Sequence, residues 1–146
     1  MRDIEMAKEI LGNKGVTLVI VKEGQILFES DSSGIRGLLQ SIEKLKIEMY
    51  GSSVADRIVG RAAALLLAYS RVNEIYASVL SRGGLEVLEE NRIKVECQNL
   101  VQIILDQTGK NICPFEKFSS EIKSLDKAYE QLKDFAEKFW KSKQCS

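Results

Sequence analysis

The stretch VADRIVGRAAALLLAYS, residues 54–70, is apolar on nearly every side and contains the longest uninterrupted apolar run of the chain, Ala62–Tyr69. It follows a break at residues 51–53, Gly-Ser-Ser. We predict one buried helix over residues 54–70, because a helix that is hydrophobic all round has no face for solvent. Gly60 and the alanines at 62–64 would let it approach a sheet closely. The apolar run is far shorter than the roughly 20 residues of a membrane-spanning helix.

The elements on either side alternate between helix and strand patterns, which is typical of an α/β sandwich. Upstream, the spacing of apolar residues predicts a helix at 3–11, a hairpin of strands 16–21 and 26–28 turning at Gly24, and a helix at 35–45. Downstream, it predicts a strand at 75–80, a helix at 82–91, a strand at 93–97, a segment at 100–105 that fits helix slightly better than strand, and a helix starting at Cys113. The strands at 75–80 and 93–97 should lie parallel, joined by a right-handed crossover.

The C-terminal part of the chain carries a heptad-like apolar stripe on an otherwise charged helix. We therefore divide the chain into an α/β domain at residues 1–118 and a helical extension at 119–146. Two interpretations of the stripe stay open: the helix packs on its own domain, or it packs on a partner, for example in a homodimer. With fewer than four heptads, an independent coiled coil is weak. The stripe consists of Ile122, Leu125, Tyr129, Leu132, Ala136 and Phe139.

Composition argues against several classes of function. Lys and Arg number 21 and Asp and Glu number 21, for a formal net charge of 0, so long nucleic acid and anionic membranes are not expected partners. The chain has no His, which removes His-based triads, His-ligated zinc and an imidazole base. Cys97, Cys113 and Cys145 form no C-x-x-C pair and fit reduced thiols in the cytoplasm. The charged N-terminus lacks the apolar core of a signal peptide, and we expect no metal and no cofactor.

Three short motifs carry a resemblance to a known family. Residues 56–64 read Asp-Arg-Ile-Val-Gly-Arg-Ala-Ala-Ala, residues 81–82 read Ser-Arg, and residues 113–116 read Cys-Pro-Phe-Glu. In this order they resemble the prokaryotic family called domain of unknown function 1893, over roughly residues 1–120, with the C-terminal helix outside the resemblance. One departure is the pair Gly83-Gly84, where relatives tend to carry alanines, so the start of the helix at 82–91 is less firmly fixed.

The resemblance implies a cytidine-deaminase-like fold, a three-layer α/β/α sandwich with helices on both faces of a mixed sheet. It places the helix at 54–70 where a deaminase carries His-x-Glu, and the helix at 82–91 where a deaminase carries Pro-Cys-x-x-Cys. A zinc deaminase needs one His and two Cys, or three Cys, with a Glu for proton transfer. Neither segment contains His or Cys, so the resemblance implies this fold without zinc-dependent deaminase activity.

We expect a binding site where the helices at 54–70 and 82–91 begin. Helix N-termini present unpaired N–H groups and partial positive charge, and arginine is suited to bidentate contacts with phosphate or carboxylate. This favours a non-catalytic domain that binds an anionic metabolite or nucleotide. The structural alternative is that Ser53 and Asp56 form a capping box that satisfies those N–H groups. The predicted ligand-binding residues are Ser53, Asp56, Arg57, Gly60, Arg61, Ser81 and Arg82.

Cys113 and Glu116 suggest a second hypothesis. The sequence fits a helix with Cys113 at its N-cap, Pro114 at its first position and Glu116 at its third, facing back to the cap. A thiol at a helix N-terminus gains thiolate character, so Cys113 is a candidate nucleophile or redox-sensitive thiol of a thiol-dependent enzyme or sensor. No His is present to act as its base. A third hypothesis is an assembly module that uses the C-terminal helix.

Overall fold

A computed structural model describes residues 1–13 and 15–144 and shows five strands and six α-helices in this part of the chain. The strands are β1 (Leu18–Lys22), β2 (Gln25–Ser30), β3 (Ser53–Val59), β4 (Glu74–Ser81) and β5 (Lys94–Val101). The helices are α1 (Asp3–Asn13), α2 (Arg36–Leu45), α3 (Arg61–Tyr69), α4 (Arg82–Glu90), α5 (Pro114–Ser119) and α6 (Leu125–Gln144). A 3-10 turn, Lys46–Met49, follows α2.

The strands form one mixed sheet in the order β2-β1-β3-β4-β5. β1 runs antiparallel to both β2 and β3, whereas β3, β4 and β5 are parallel. α1 covers one face of the sheet, where Ala7 and Leu11 pack with Val19 and Ala55. The other face carries the main core, which includes residues of α2, α3 and α4. The three-layer architecture with a mixed sheet is therefore as predicted, including the parallel pairing of β4 and β5.

The predicted single helix at residues 54–70 is wrong. Its first part is β3, the central strand of the sheet, and only residues from Arg61 onward are helical. A strand buried on both faces is a nearly continuous apolar run without the alternation that marks a half-exposed strand. Gly60, in an extended conformation with φ −96° and ψ −169°, separates the two elements. The capping box is wrong for the same reason, since Ser53 and Asp56 lie within β3.

The helix favoured for residues 100–105 is also wrong. β5 continues to Val101, and the chain then forms a loop in which Leu105 and Ile112 make an isolated antiparallel bridge. Apolar residues in this segment resembled one side of a helix, but Ile103 and Leu105 are 39% and 48% exposed. The segment therefore contributes an apolar surface loop beside the ends of the parallel strands.

α6 packs on α3 of its own chain. This corresponds to the interpretation in which the apolar stripe contacts its own domain. Ala128, Leu132 and Ala136 are fully buried in the main core. Tyr129 stacks on Tyr69 of α3 with ring centroids 5.5 Å apart. Toward the end of α6, an aromatic cluster joins it to α5. The cluster consists of Phe115, Phe118, Phe135, Phe139 and Trp140. None of the helices within residues 1–13 and 15–144 combines the length and apolar character needed to cross a membrane.

The start of α4 is fixed by two local features. The Ser81 hydroxyl is the N-cap and accepts a hydrogen bond from the Gly84 N–H at 3.0 Å. A Cβ on Gly84 would lie 3.0 Å from the Gly60 carbonyl oxygen and 3.1 Å from that of Val59. The close approach of α4 to the start of α3 therefore favours glycine at position 84, where relatives tend to carry alanine, because a Cβ would need the facing backbone to shift by a few tenths of an ångström.

Gly84→Ala is expected to lower the free energy of unfolding by about 1–3 kcal/mol, because backbone atoms would have to move away from the new methyl group. Gly83→Ala is a matched control. Its Cβ would lie 3.6 Å from the Cβ of Arg61, an ordinary contact, and alanine favours the helix by up to about 1 kcal/mol. Urea unfolding followed by circular dichroism measures both. Equal stabilities of the two variants would contradict this account.

Candidate functional site

A cavity of about 430 Å³ lies where α2, α3 and α5 begin and α6 ends. Its walls are mostly apolar and include Ala62, Ala63, Ile104, Leu105, Phe115 and Trp140. Small side chains at the first turn of α3 leave the space open, and the aromatic cluster of α5 and α6 closes one side. Ser33, Asp106 and Thr108 provide polar groups among the lining residues. The combination of an apolar cavity with few polar groups is typical of small-molecule sites.

Glu116 is the buried charged residue of this cavity, with 8% of its surface exposed. Its Oε1 accepts a hydrogen bond from the Arg61 N–H at 2.6 Å, and its Oε2 accepts one from the Ile104 N–H at 2.9 Å. The carboxylate therefore occupies the N-terminus of α3, where the helix dipole favours negative charge. The prediction that Glu116 faces back to cap its own helix is wrong, because its side chain reaches across to α3 and to the loop after β5.

Arg57 and Arg61, two of the predicted anion-binding residues, use their guanidinium groups within the protein. Arg57 donates from Nε to the Val16 carbonyl at 2.8 Å and from Nη2 to the Leu11 carbonyl at 3.2 Å. Arg61 donates from Nε to Ser119 at 3.0 Å and from Nη2 to Ile122 at 3.1 Å, again at carbonyl oxygens. These arginines thus tie the ends of α1 and α5 to the β3–α3 segment.

Of the remaining predicted residues, Gly60, Ser81 and Arg82 lie at the starts of α3 and α4, whereas Ser53 lies at the far end of β3. Gly60 lines the cavity, and a Cβ at this position would lie 2.7 Å from Glu116 Oε1. Ser81 is buried and caps α4, whereas Arg82 is exposed at the first position of that helix. Ser53 is buried in β3 beside Glu74 of β4. The structure therefore brings the two helix starts together, as expected, but the side chains there serve mainly internal contacts.

Asp56 is a buried carboxyl group in the middle of the sheet. It is 5% exposed and pairs in register with Leu18 of β1 and Ala77 of β4. Burial raises the pKa of Asp56 from 3.8 to about 7, although hydrogen bonds from the backbone N–H groups of Ile58 and Arg57 act in the opposite direction. Asp56 does not line the cavity.

Cys113 lines the cavity as a half-buried free thiol at the start of α5. Its backbone N–H donates to the Ile104 carbonyl at 3.0 Å, which holds this helix start against the loop after β5. Cys97 is also a free thiol, in β5, and Cys145 lies outside the described residues. Within residues 1–13 and 15–144, no cluster of His, Cys, Asp or Glu side chains could hold a metal ion.

Several cavity residues were not singled out from the sequence. Trp140 lies outside the predicted apolar stripe, and only residues 104 and 105 of the loop 104–108 belong to the segment for which a helix is predicted. The Arg36 guanidinium lies 4.0 Å from the centroid of the Trp140 ring, a contact between α2 and α6 that no local pattern indicates. The sequence signal that did point here was the Cys-Pro-Phe-Glu motif, which contributes all four of its residues to the cavity.

Solved structures of other proteins match the fold of this chain. A crystal structure of a DUF1893 family protein from Thermotoga maritima matches with a TM-score of 0.83 and 26% identity, over 90% of this chain and 88% of that chain. RibD from Acinetobacter baumannii, form 1, matches with a TM-score of 0.50 and 16% identity, over 66% of this chain and 34% of that chain. A dCMP deaminase from the cyanophage S-TIM5 aligns with a TM-score of 0.48 and 18% identity, over 65% and 93% of the two chains. The predicted three-layer α/β/α fold with a mixed sheet is confirmed by the structure itself, and at 16% identity the likeness to RibD concerns the fold alone.

The sequence comparison identifies a family. No curated protein matches the chain significantly. The family model described as Domain of unknown function (DUF1893) matches residues 6–136. The resemblance to this family is confirmed, and the match extends well into α6, beyond the roughly 120 residues over which the motifs carry it. Because this match covers most of the sequence, the chain belongs to the DUF1893 family.

Proposed function

We propose that this chain is a small-molecule-binding domain whose ligand occupies the cavity formed by the starts of α2, α3 and α5 and the end of α6. The observation that carries the proposal is the cavity itself. Its volume of about 430 Å³ falls within the range of roughly 300–1,000 Å³ that ligand pockets occupy. Phe115 and Trp140 offer aromatic surfaces against which a planar ring can pack.

The charged groups at the start of α3 favour a neutral ring over the anion expected from the sequence, and the cation that lines the cavity, Lys143, lies at its other side, over the Phe139 ring. An anion at the start of α3 would meet the carboxylate of Glu116, which already accepts the N–H of Arg61. Arg57 and Arg61 would have to give up hydrogen bonds to backbone carbonyls to contact it. The carboxylate of Glu116 can instead accept a further hydrogen bond from a ligand N–H. A neutral heteroaromatic ring with N–H donors, the size of a nucleobase, fits these groups best.

The experiment uses Trp140, the single Trp of the chain, as a reporter inside the cavity. Titration with adenine should change its fluorescence, and titration with adenosine monophosphate should require a higher concentration for the same change. Tighter binding of the monophosphate would favour the anion-binding alternative. If neither adenine nor the related neutral rings benzimidazole and cytosine alter the fluorescence, the proposed function is wrong.

Leu105→Tyr is expected to weaken adenine binding by about tenfold, or roughly 1.4 kcal/mol, because the larger side chain intrudes on the cavity. Ile112→Tyr is the matched control. Ile112 is the bridge partner of Leu105 and is similarly exposed, at 45% against 48%, but it does not line the cavity. Trp140 fluorescence measures both variants. Equal affinities in the two would place adenine elsewhere on the protein.

A further inference from the structure

A second cavity, of about 480 Å³, lies at the opposite edge of the sheet, where β4 and β5 begin. Arg71 stands three residues before β4 and Arg92 two residues before β5, and both line this cavity. Tyr50, Asn73 and Asp126 are also among its lining residues. No described residue lines both cavities. The second cavity is therefore a separate feature of the fold, unrelated to the proposed function above.

The two arginines occupy equivalent and strained positions. Arg71 directly follows the C-cap residue of α3, and Arg92 directly follows the C-cap residue of α4. Their φ angles are 53° and 57°. This left-handed conformation after a helix usually belongs to glycine, sometimes to asparagine. The neighbouring Gly51 adopts it, with φ 78°. Backbone strain in other residues is often found at functional sites. Glu23 and Lys46 also have positive φ and lie outside this cavity, but Arg71 and Arg92 share it.

The helix dipole does not explain why arginine, and not glycine, occupies these two left-handed positions. A cation near a helix C-terminus is favourable, but Lys or Arg in the last turn would provide it without a left-handed residue. Neither α3 nor α4 has a basic residue in its last turn. The charge is instead carried by the residue just beyond each helix, whose side chain lines the cavity. This placement brings two guanidinium groups to the same site.

The guanidinium groups are available for a ligand. Arg71 lies over the ring of Tyr50, 5.1 Å from its centroid, a contact that restrains its orientation. Within the described part of the chain, neither Arg71 nor Arg92 forms an ion pair or a side-chain hydrogen bond. Asp126 is the acidic residue of this cavity and lies in the first turn of α6. It reduces the net positive charge without pairing with either arginine.

We propose that this cavity binds the phosphate group of a small phosphorylated molecule, with Arg71 and Arg92 both contacting the phosphate. Arginine presents a planar fork of donors that matches phosphate oxygens and keeps its charge at all physiological pH values. Asn73 supplies a further polar side chain at the same cavity. The carboxylate of Asp126 and the C-terminal ends of α3 and α4 oppose the anion, so binding depends on the two guanidinium groups.

The test is calorimetric titration of the full chain with inorganic pyrophosphate. Arg71→Gly and Arg92→Gly should each weaken binding about ten- to hundredfold, the effect of losing one charge-assisted contact. Each should leave Tm unchanged or raise it, because glycine adopts the left-handed conformation without strain. Asp126→Asn should tighten binding by removing the opposing charge. Lys110→Ala, at an exposed cation in the loop after β5 that lines neither cavity, is the control and should bind like the parent chain.

Three results would overturn the proposal. The first is no measurable binding of pyrophosphate by the parent chain. The second is normal binding by the Arg71→Gly and Arg92→Gly variants. The third is an equal loss in Lys110→Ala, which would indicate a general effect of net charge. A lower Tm in either glycine variant would contradict the argument from backbone strain.

Discussion

Replacing Glu116 by alanine is expected to lower the free energy of unfolding by about 3–5 kcal/mol. The carboxylate accepts one hydrogen bond from the Arg61 N–H and one from the Ile104 N–H, and hydrogen bonds to charged groups contribute about 1.5–3 kcal/mol each. Its loss leaves both donors unsatisfied beside an apolar cavity, and it removes the negative charge from the start of α3. Alanine supplies neither an acceptor nor a charge.

The control is Glu121→Ala. Glu121 is exposed just after α5, so its replacement should change stability by no more than about 0.5 kcal/mol. Glu116→Gln should fall between the two, because the amide keeps one acceptor oxygen but turns a donor toward one of the two N–H groups. Urea unfolding by Trp140 fluorescence and by circular dichroism measures all three. If Glu116→Ala unfolds at the same urea concentration as Glu121→Ala, Glu116 does not hold α3 and the loop together.

Glu116 also shows which part of the site the sequence could predict. The motif identified the residue, since Glu116 ends the Cys-Pro-Phe-Glu stretch that carries part of the family resemblance. Its partner was assigned from local spacing, which favours a cap on the same helix. The observed partner, Arg61, is 55 residues away in sequence. No periodicity in one segment specifies a contact across that separation, because the contact depends on how α5 packs beside α3.

The partners of Arg57 and Arg61 were not predictable for the same reason, because they also lie far away in sequence. Arg57 and Arg61 were interpreted as neighbours on one helix, with both guanidinium groups facing solvent or ligand. They lie in different elements, and each bonds to carbonyl groups at the end of another segment. An arginine that binds an anion and one that caps a chain end look alike in sequence. What distinguishes them is whether unpaired carbonyls lie within reach, which only the folded structure determines.

The order of elements was predictable because most of them carry strong local signals. The hairpin of β1 and β2 has a β-branched run and a turn glycine, Gly24, whose φ of 76° confirms the turn. α2 and α4 each have one apolar stripe, and their buried residues are those of the stripe. β3 and α3 are the exception, since most residues of both are buried, although Ile58 of β3 is exposed. Burial on all sides removes the periodicity that separates a strand from a helix.

Asp56→Asn is expected to remove a large pH dependence of stability. The carboxyl group of Asp56 has an ordinary pKa of 3.8 in the unfolded chain, and burial raises this pKa to about 7 in the folded protein. Between these two pH values the unfolded chain releases the proton while the folded protein retains it. The free energy of unfolding contributed by Asp56 is therefore full below pH 3.8, falls as the pH rises and levels off above about 7.

The difference between the two pKa values corresponds to a loss of about 4 kcal/mol across this range. Asparagine resembles the protonated acid and keeps an acceptor oxygen for one of the two backbone N–H groups, so the variant should be more stable than the parent chain above pH 7 and similar to it near pH 4. Asp31→Asn, at an exposed position, controls for the loss of one negative charge and should follow the parent chain at every pH. Urea unfolding of the three proteins across this range measures the effect. A stability difference between Asp56→Asn and the parent chain that does not change with pH would show that the buried carboxyl group is not protonated in the folded protein, and that water or a conformational change solvates Asp56 in the centre of the sheet.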